Sequence, residues 1–236
     1  EKIVKIPLSV ITAINLVLMP SNANLFIKGK IDEIKQIISS TISLVLMISL
    51  PMALGLASIG FTLIPWYLGS EFVEVGYVII WLVPIIVALA LSGISANQYF
   101  IATNQTNYLI KSYVIAALVN VIINYFTIPT MGCYGAALGT VIAEYISVGI
   151  QYYYMSRTIK VLSTLIKSFK YFLYSCIMCA ISVFIGIKMG SSPLTTLIQV
   201  ILSVGIYGIL LALSKDNELK ILLKLLLKKK SISEEK

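Results

Sequence analysis

Residues 40–65 read STISLVLMISLPMALGLASIGFTLIP and contain no charged side chain. About 20 consecutive apolar residues suffice for a helix to cross the ~30 Å hydrocarbon core of a bilayer, and this run exceeds that. Working outward from it, comparable stretches lie at 3–19, 76–100, 108–128, 133–155, 170–188 and 194–213. Pro51 and Pro84 fall inside two of them, where membrane helices tolerate proline as a kink. The segment 3–19 is the weakest, being short and carrying Lys5. The pattern predicts an all-α fold, a polytopic membrane helix bundle of about seven transmembrane helices. Composition agrees: 58% of the residues are hydrophobic and 12% charged, against about 25% charged in a soluble domain.

The basic residues set an expected topology. Lys28, Lys30 and Lys35 lie between the first two stretches, Lys111 at the start of the fourth, and Arg157, Lys160, Lys167 and Lys170 around the fifth connection. Of the intervening connections, the second carries only Glu71 and Glu74, the fourth nothing charged and the sixth Lys188 alone. With the tail in the cytoplasm, all but Lys2, Lys5 and Lys188 of the 18 basic residues fall inside, as the positive-inside rule requires. Trp66 and Tyr67 mark an outer interface, and Tyr152, Tyr153 and Tyr154 an inner one. Seven spans then leave the N-terminus outside. With Glu1 in first place, that arrangement predicts further helices upstream.

A net charge of +8 in a soluble protein would suggest nucleic acid. Here the lysines flank apolar runs, so the expected partners are anionic membrane lipids and not nucleic acid. Two segments read as interfacial helices. One is 30–38, with Ile31, Ile34 and Ile38 on one face. The other is the basic amphipathic tail 214–236, where Lys220, Lys224 and Lys228 recur among leucines. Histidine is absent, which removes His-based acid–base, nucleophilic and metal chemistry. No Gly-rich phosphate loop is present, so no cofactor is expected. Cys176 and Cys179 form a C-x-x-C inside an apolar run and read as small packing residues.

Polar faces separate the helices. Tyr113, Ala117, Asn120, Asn124 and Thr127 share one face of the fourth, and Thr140, Glu144, Ser147 and Gln151 one face of the fifth. Ser9, Thr12 and Asn15 follow Lys5 on the first, and Ser92, Ser95, Asn97 and Gln98 mark the third. The seventh reads as almost bare until Ser214. Glu144 lies near mid-membrane, where an isolated carboxylate costs on the order of 3 kcal/mol. It is either a protonatable, cation-binding or substrate-contacting group, or an interhelical hydrogen-bond partner of Asn120, Asn124 or Lys111. Gly132, Gly135, Gly139, Ala143 and Ser147 form a small-residue stripe for close helix packing.

The stretch NVIINYFTIPTMGCYGAA, Asn120 to Ala137, resembles the polysaccharide and repeat-unit flippases of the multidrug/oligosaccharidyl-lipid/polysaccharide exporter superfamily, the Wzx-type O-antigen and capsule transporters. Asn120, Asn124, Ile128, Pro129, Gly132, Gly135, Ala136 and Ala137 carry the pattern, and Glu144 matches the family's later glutamate. YLGSEF at 67–72 and the opening KIVKIPLSVITAINLVLMP agree, although Ser21 follows Pro20 where the family has arginine. The resemblance covers roughly 1–157.

It implies the C-terminal lobe of a transporter over 1–157, two accessory helices over 158–213 and the tail beyond. It further implies alternating-access flipping of a polyprenyl-pyrophosphate-linked oligosaccharide across the bacterial cytoplasmic membrane, without enzymatic activity. A polysaccharide polymerase complex is a further candidate partner. The expected substrate-binding or cavity residues are Asn120, Asn124, Glu144, Lys111, Thr140 and Gln151. Competing readings are a cation-coupled small-molecule antiporter of the same superfamily, a membrane enzyme of the polysaccharide pathway, and a structural subunit.

Overall fold

The computed structural model describes residues 8–214, apart from the side chains at 10, 13, 14, 16–18 and 21. Lys5 and the basic tail beyond Ser214 lie outside the described residues. The first helix, α1 (Leu8–Ile27), ends where Gly29 takes φ +68°. Lys30 N donates to Leu25 O and Gly29 N to Phe26 O, each at 3.0 Å. This is a Schellman stop, which needs a residue free to adopt left-handed φ.

Helix α2 (Ile31–Tyr67) follows at once and runs for 37 residues, about 55 Å at 1.5 Å per residue. The segment 30–38 is therefore not a separate interfacial helix but the first turns of α2. No breaker separates it from the apolar run. Its expected face is real: Ile34 and Ile38 are buried, while Asp32 and Glu33 are exposed. Those two acids sit in the first turn, where the helix dipole favours negative charge. They pair with Lys35 (2.9 Å) and Lys30 (2.6 Å).

The stretch 76–100 is not one helix. After a short turn at Ser70–Phe72, α3 (Val73–Leu82) and α4 (Ile85–Gly93) meet at Pro84 with a bend of 43°. Proline has no N–H to donate and its ring crowds the preceding turn. A π-helical segment, Ile94–Ile101, continues α4. Next come α5 (Thr106–Met131) and α6 (Cys133–Ser156), joined by Gly132 at φ +56° and ψ −126°, a conformation that glycine alone enters freely. Helix α7 (Val161–Met189) starts earlier than the expected 170–188 because 161–169 contains no breaker, so Lys167 and Lys170 ride on a helix. Helix α8 (Pro193–Leu213) opens with proline at its first turn, and the Ser192 side chain accepts from Thr195 N at 3.1 Å.

Among the described residues, α2, α5, α6, α7 and α8 are long and apolar enough to cross a membrane, and the bent α3–α4 pair makes a sixth span. These match six of the seven expected segments. Helix α1 is outside that set and carries Asn15, Pro20, Asn22 and Asn24.

Helix α2 is the centre of the bundle, touched by α1, α3, α4, α7 and α8. Helices α7 and α8 are held to it by a polar ladder. Ser168 bonds Ser43 (3.0 Å), Ser58 bonds Ser182 (2.9 Å), and Thr62 donates to Gln199 Oε1 (2.6 Å). Gln199 Nε2 donates to Ser182 O (2.8 Å), Trp66 to Thr196 (3.0 Å) and Tyr207 to Met47 O (2.7 Å). Helix α8 is thus not bare: Thr195, Thr196, Gln199, Ser203 and Tyr207 are buried on its inward face.

Helix α5, by contrast, packs mainly on α6 and exposes Ile110, Val114, Leu118, Val121, Ile122 and Phe126. The small-residue stripe of α6 explains how closely the two approach. A Cβ on Gly135 would meet Thr127 O at 2.5 Å, and one on Gly139 would collide with the Asn124 side chain. Nothing lies within 4 Å of a Cβ on Gly149. Gly135→Ala should therefore lower stability by about 1–3 kcal/mol through forced separation of the helices. Gly149→Ala should raise it by about 0.5–1 kcal/mol through helix propensity. Thermal unfolding of the two variants in detergent compares them directly.

Candidate functional site

The α5–α6 hairpin sets its own register. Thr127 Oγ1 lies 3.1 Å from Gly135 O, Asn124 abuts Gly139, and Gln151 Nε2 donates to Ser112 Oγ at 3.0 Å. Antiparallel pairing at that register places Asn120 opposite Ala143 and Glu144. Asn120, Asn124, Thr140 and Glu144 thus come together within about two turns of the seam, at mid-height of both helices. All four are half-buried.

Within this group Asn124 Nδ2 donates to Asn120 Oδ1 at 3.0 Å, one turn apart. Asn124 Oδ1 is buried without a donor. Thr140 Oγ1 donates to Ala136 O at 2.9 Å and Thr127 Oγ1 to Ile123 O at 2.9 Å, so both hydroxyls keep acceptor lone pairs free. Glu144 is not without a partner. The glycines create this seam, since only a bare Cα leaves room for an asparagine amide between two helix backbones.

The other two expected residues lie elsewhere. Lys111 is nine residues before Asn120, about 13 Å along α5, and is exposed with Nζ 6.0 Å from the Tyr108 ring centroid. Gln151 lies about 10 Å below Glu144 along α6 and is fully buried. Its Oε1 accepts from Ser95 (2.5 Å) and Ser92 (3.3 Å), and its Nε2 donates to Ser112 (3.0 Å) and Ser147 (2.9 Å). Both amide ends are occupied. Gln151 ties α4 and the π-helical segment to α5 and α6.

The polar stripes of the first and third expected helices also meet each other. Gln98 Nε2 donates to Asn15 Oδ1 (2.8 Å) and Asn22 Nδ2 to Gln98 O (3.2 Å), all three residues being buried. A polar stripe marks a need for partners, and one sequence alone does not distinguish water from another helix.

The two ends of the bundle differ in charge. The connections α1–α2, π segment–α5 and α6–α7 meet at one end, around a cavity of about 70 Å³ lined by Phe26, Lys35, Tyr99, Gln105 and Thr158. This end carries Lys28, Lys30, Lys35, Arg157 and Lys160. At the opposite end lie Glu71 in the α2–α3 turn, Glu74 in the first turn of α3, Gly132 in its own turn and one basic residue, Lys188, in the last turn of α7. Arg157, beyond the last turn of α6, has its pKa pushed up by the Tyr153 hydroxyl beside it.

A profile of the family described as lipid II flippase MurJ matches residues 1–211. The chain belongs to the MurJ family. Lipid II flippase MurJ of Bacillus subtilis (strain 168) is 27% identical over 143 residues, which cover 59% of this chain and 26% of that protein. A solved structure of lipid II flippase MurJ in an inward closed conformation has the same fold, with a TM-score of 0.73 and 18% identity. That likeness covers 88% of this chain and 44% of the solved one. The chain therefore spans about a quarter of the curated relative and under half of the solved chain.

MurJ membership keeps the superfamily of lipid-linked flippases expected from the Asn120–Ala137 motif but moves the chain off the O-antigen and capsule branch. It also makes the protein a multi-pass cytoplasmic membrane protein of a transporter family, which removes the pathway-enzyme reading.

Gln151→Leu should lower stability by about 1–2 kcal/mol and no more. Ser95 and Ser112 already have backbone acceptors at Ser92 O (3.1 Å) and Leu109 O (2.7 Å) to fall back on. Interhelical hydrogen bonds within membranes average about 0.6 kcal/mol each. Chemical unfolding in micelles, with the midpoint compared to wild type, checks the magnitude.

Proposed function

We propose that this chain forms the C-terminal part of a flippase that carries lipid II, the lipid-linked peptidoglycan precursor, across the bacterial cytoplasmic membrane. The match of the MurJ profile over residues 1–211 carries this reading. In it, 1–157 belong to a transporter lobe, 158–213 are two helices docked on α2, and the basic tail follows on the cytoplasmic side. The charge asymmetry between the bundle ends supports that orientation. The motif shared with repeat-unit exporters is then a feature of the superfamily and does not define the cargo.

The seam of Asn120, Asn124, Thr140 and Glu144 is the part of the lobe that faces the transport route. A carboxylate beside two carboxamides at mid-membrane can take or release a proton or cation as the lobes rock, and that changes the cost of exposing the seam. The small-residue packing beneath it holds α5 and α6 as one unit, so a change at the seam moves both helices. Gln151 secures the unit to the π-helical segment below.

The full-length protein should restore growth to bacteria depleted of their own lipid II flippase. Full-length Glu144→Gln should insert at wild-type levels yet restore growth at least tenfold less well. Full rescue by that variant would remove the carboxylate from the mechanism. Failure of the wild type, at normal membrane abundance, would remove lipid II as cargo.

A further inference from the structure

The basic end of the bundle holds a group of side chains that the transport reading does not use. Tyr108 in the first turn of α5 stacks on Tyr154 in the last turn of α6, with ring centroids 4.4 Å apart and planes tilted by 33°. Phe100, at the end of the π-helical segment, closes the inner side of Tyr108 at 6.4 Å. A cation flanks each tyrosine of the stack: Lys111 Nζ is 6.0 Å from the Tyr108 centroid, and Arg157 Cζ is 5.2 Å from Tyr154 and 5.5 Å from Tyr153. Both cations are exposed.

Among the described residues neither forms an ion pair: the salt bridges join Lys30 to Glu33 and Lys35 to Asp32, and Glu71 and Glu74 stand at the opposite end. The rings flank the two cations; the Tyr153 hydroxyl takes one Arg157 donor, and the exposed side chains keep further N–H donors for a ligand. The arrangement thus presents two positive groups without a carboxylate partner among the described residues.

The surface beside it identifies the chemistry of that anion. From Ile110, next to Lys111, an exposed apolar strip climbs α5 through Val114, Leu118 and Val121 in steps of four, four and three residues, the spacing of one helix face. Tyrosines at a helix end with an apolar face above them mark headgroup depth. A ligand that matches both parts has a phosphate at the ring level and a hydrocarbon chain along α5. A nucleic acid or an acidic peptide matches only the first.

We propose that Lys111, Tyr108, Tyr154 and Arg157 form a binding site for the headgroup phosphate of an anionic phospholipid, whose acyl chain lies along Ile110, Val114 and Leu118. The site is separate from the Asn120–Glu144 seam and independent of the cargo. It joins the start of α5 to the end of α6 through a lipid and so steadies the hairpin at its membrane edge.

The test uses the full-length protein, delipidated in detergent and titrated with phosphatidylglycerol, phosphatidylcholine or inorganic phosphate while thermal stability is followed. Phosphatidylglycerol should protect the wild type at lower concentration than phosphatidylcholine, and inorganic phosphate should not substitute. Each basic side chain at an anionic membrane surface is worth roughly fivefold in affinity. Lys111→Gln/Arg157→Gln should therefore bind phosphatidylglycerol on the order of 20-fold more weakly, with its unliganded stability unchanged because both residues are exposed. Lys28→Gln/Lys30→Gln, at the same end but off the tyrosine stack, should bind like wild type. Undiminished binding by the first variant overturns the site. Equal loss in the second reduces it to a diffuse basic surface, and full protection by inorganic phosphate shows a free-anion site instead of a lipid site.

Discussion

Hydrocarbon offers no hydrogen-bond partner, so each polar side chain on a spanning helix must find one on another helix or line a wet surface. The arrangement of this bundle follows from that constraint more than from apolar packing, because lipid tails are as apolar as leucine. Gln151 gathers serines from α4, the π-helical segment, α5 and α6. Gln199 joins α8 to α2 and α7. Gln98 joins the π-helical segment to α1. Each glutamine is buried and has both the reach and the donor–acceptor capacity to bridge helices that leucine would leave free to slide.

The rule is met incompletely at a few places, Asn22 Oδ1, Ser49 Oγ, Gln98 Oε1 and Ser203 Oγ among them, and at the seam of α5 and α6. Asn124 Oδ1 is buried without a donor, and Glu144 sits half-buried at the same level. Gln151 and Gln199 have both amide ends tied into the bundle, whereas Gln98 Oε1, like Asn124 Oδ1, has no partner; the seam differs in holding its unspent acceptor next to a carboxylate.

Helix breaks are placed by local chemistry and then used by packing. Gly29 and Gly132 adopt positive φ and stop their helices. Pro84 removes a donor and yields the 43° bend, which lets α3 and α4 both reach α2 and α6. Pro51 and Pro65, by contrast, lie inside the continuous α2. A proline's effect on a membrane helix therefore depends on what packs around it.

The spanning stretches, the charge bias of their connections and the Asn120–Ala137 motif are local properties, and the sequence by itself determined them. Hydropathy over about 20 residues, the sign of a loop and the spacing of two asparagines need no neighbour to be read. The same holds for the convergence of Asn120, Asn124, Thr140 and Glu144, because a glycine turn between two helices fixes their antiparallel register. Which polar stripes face each other and which face an open side was decided only by the tertiary structure. Ser92, Ser95 and Gln151 carry the same pattern whether they meet water or one another, and Thr196 and Gln199 read as sparse polar residues although α2 supplies their partners. A stripe records a demand for hydrogen bonds along one helix, and only the packing of a second helix shows how it is met.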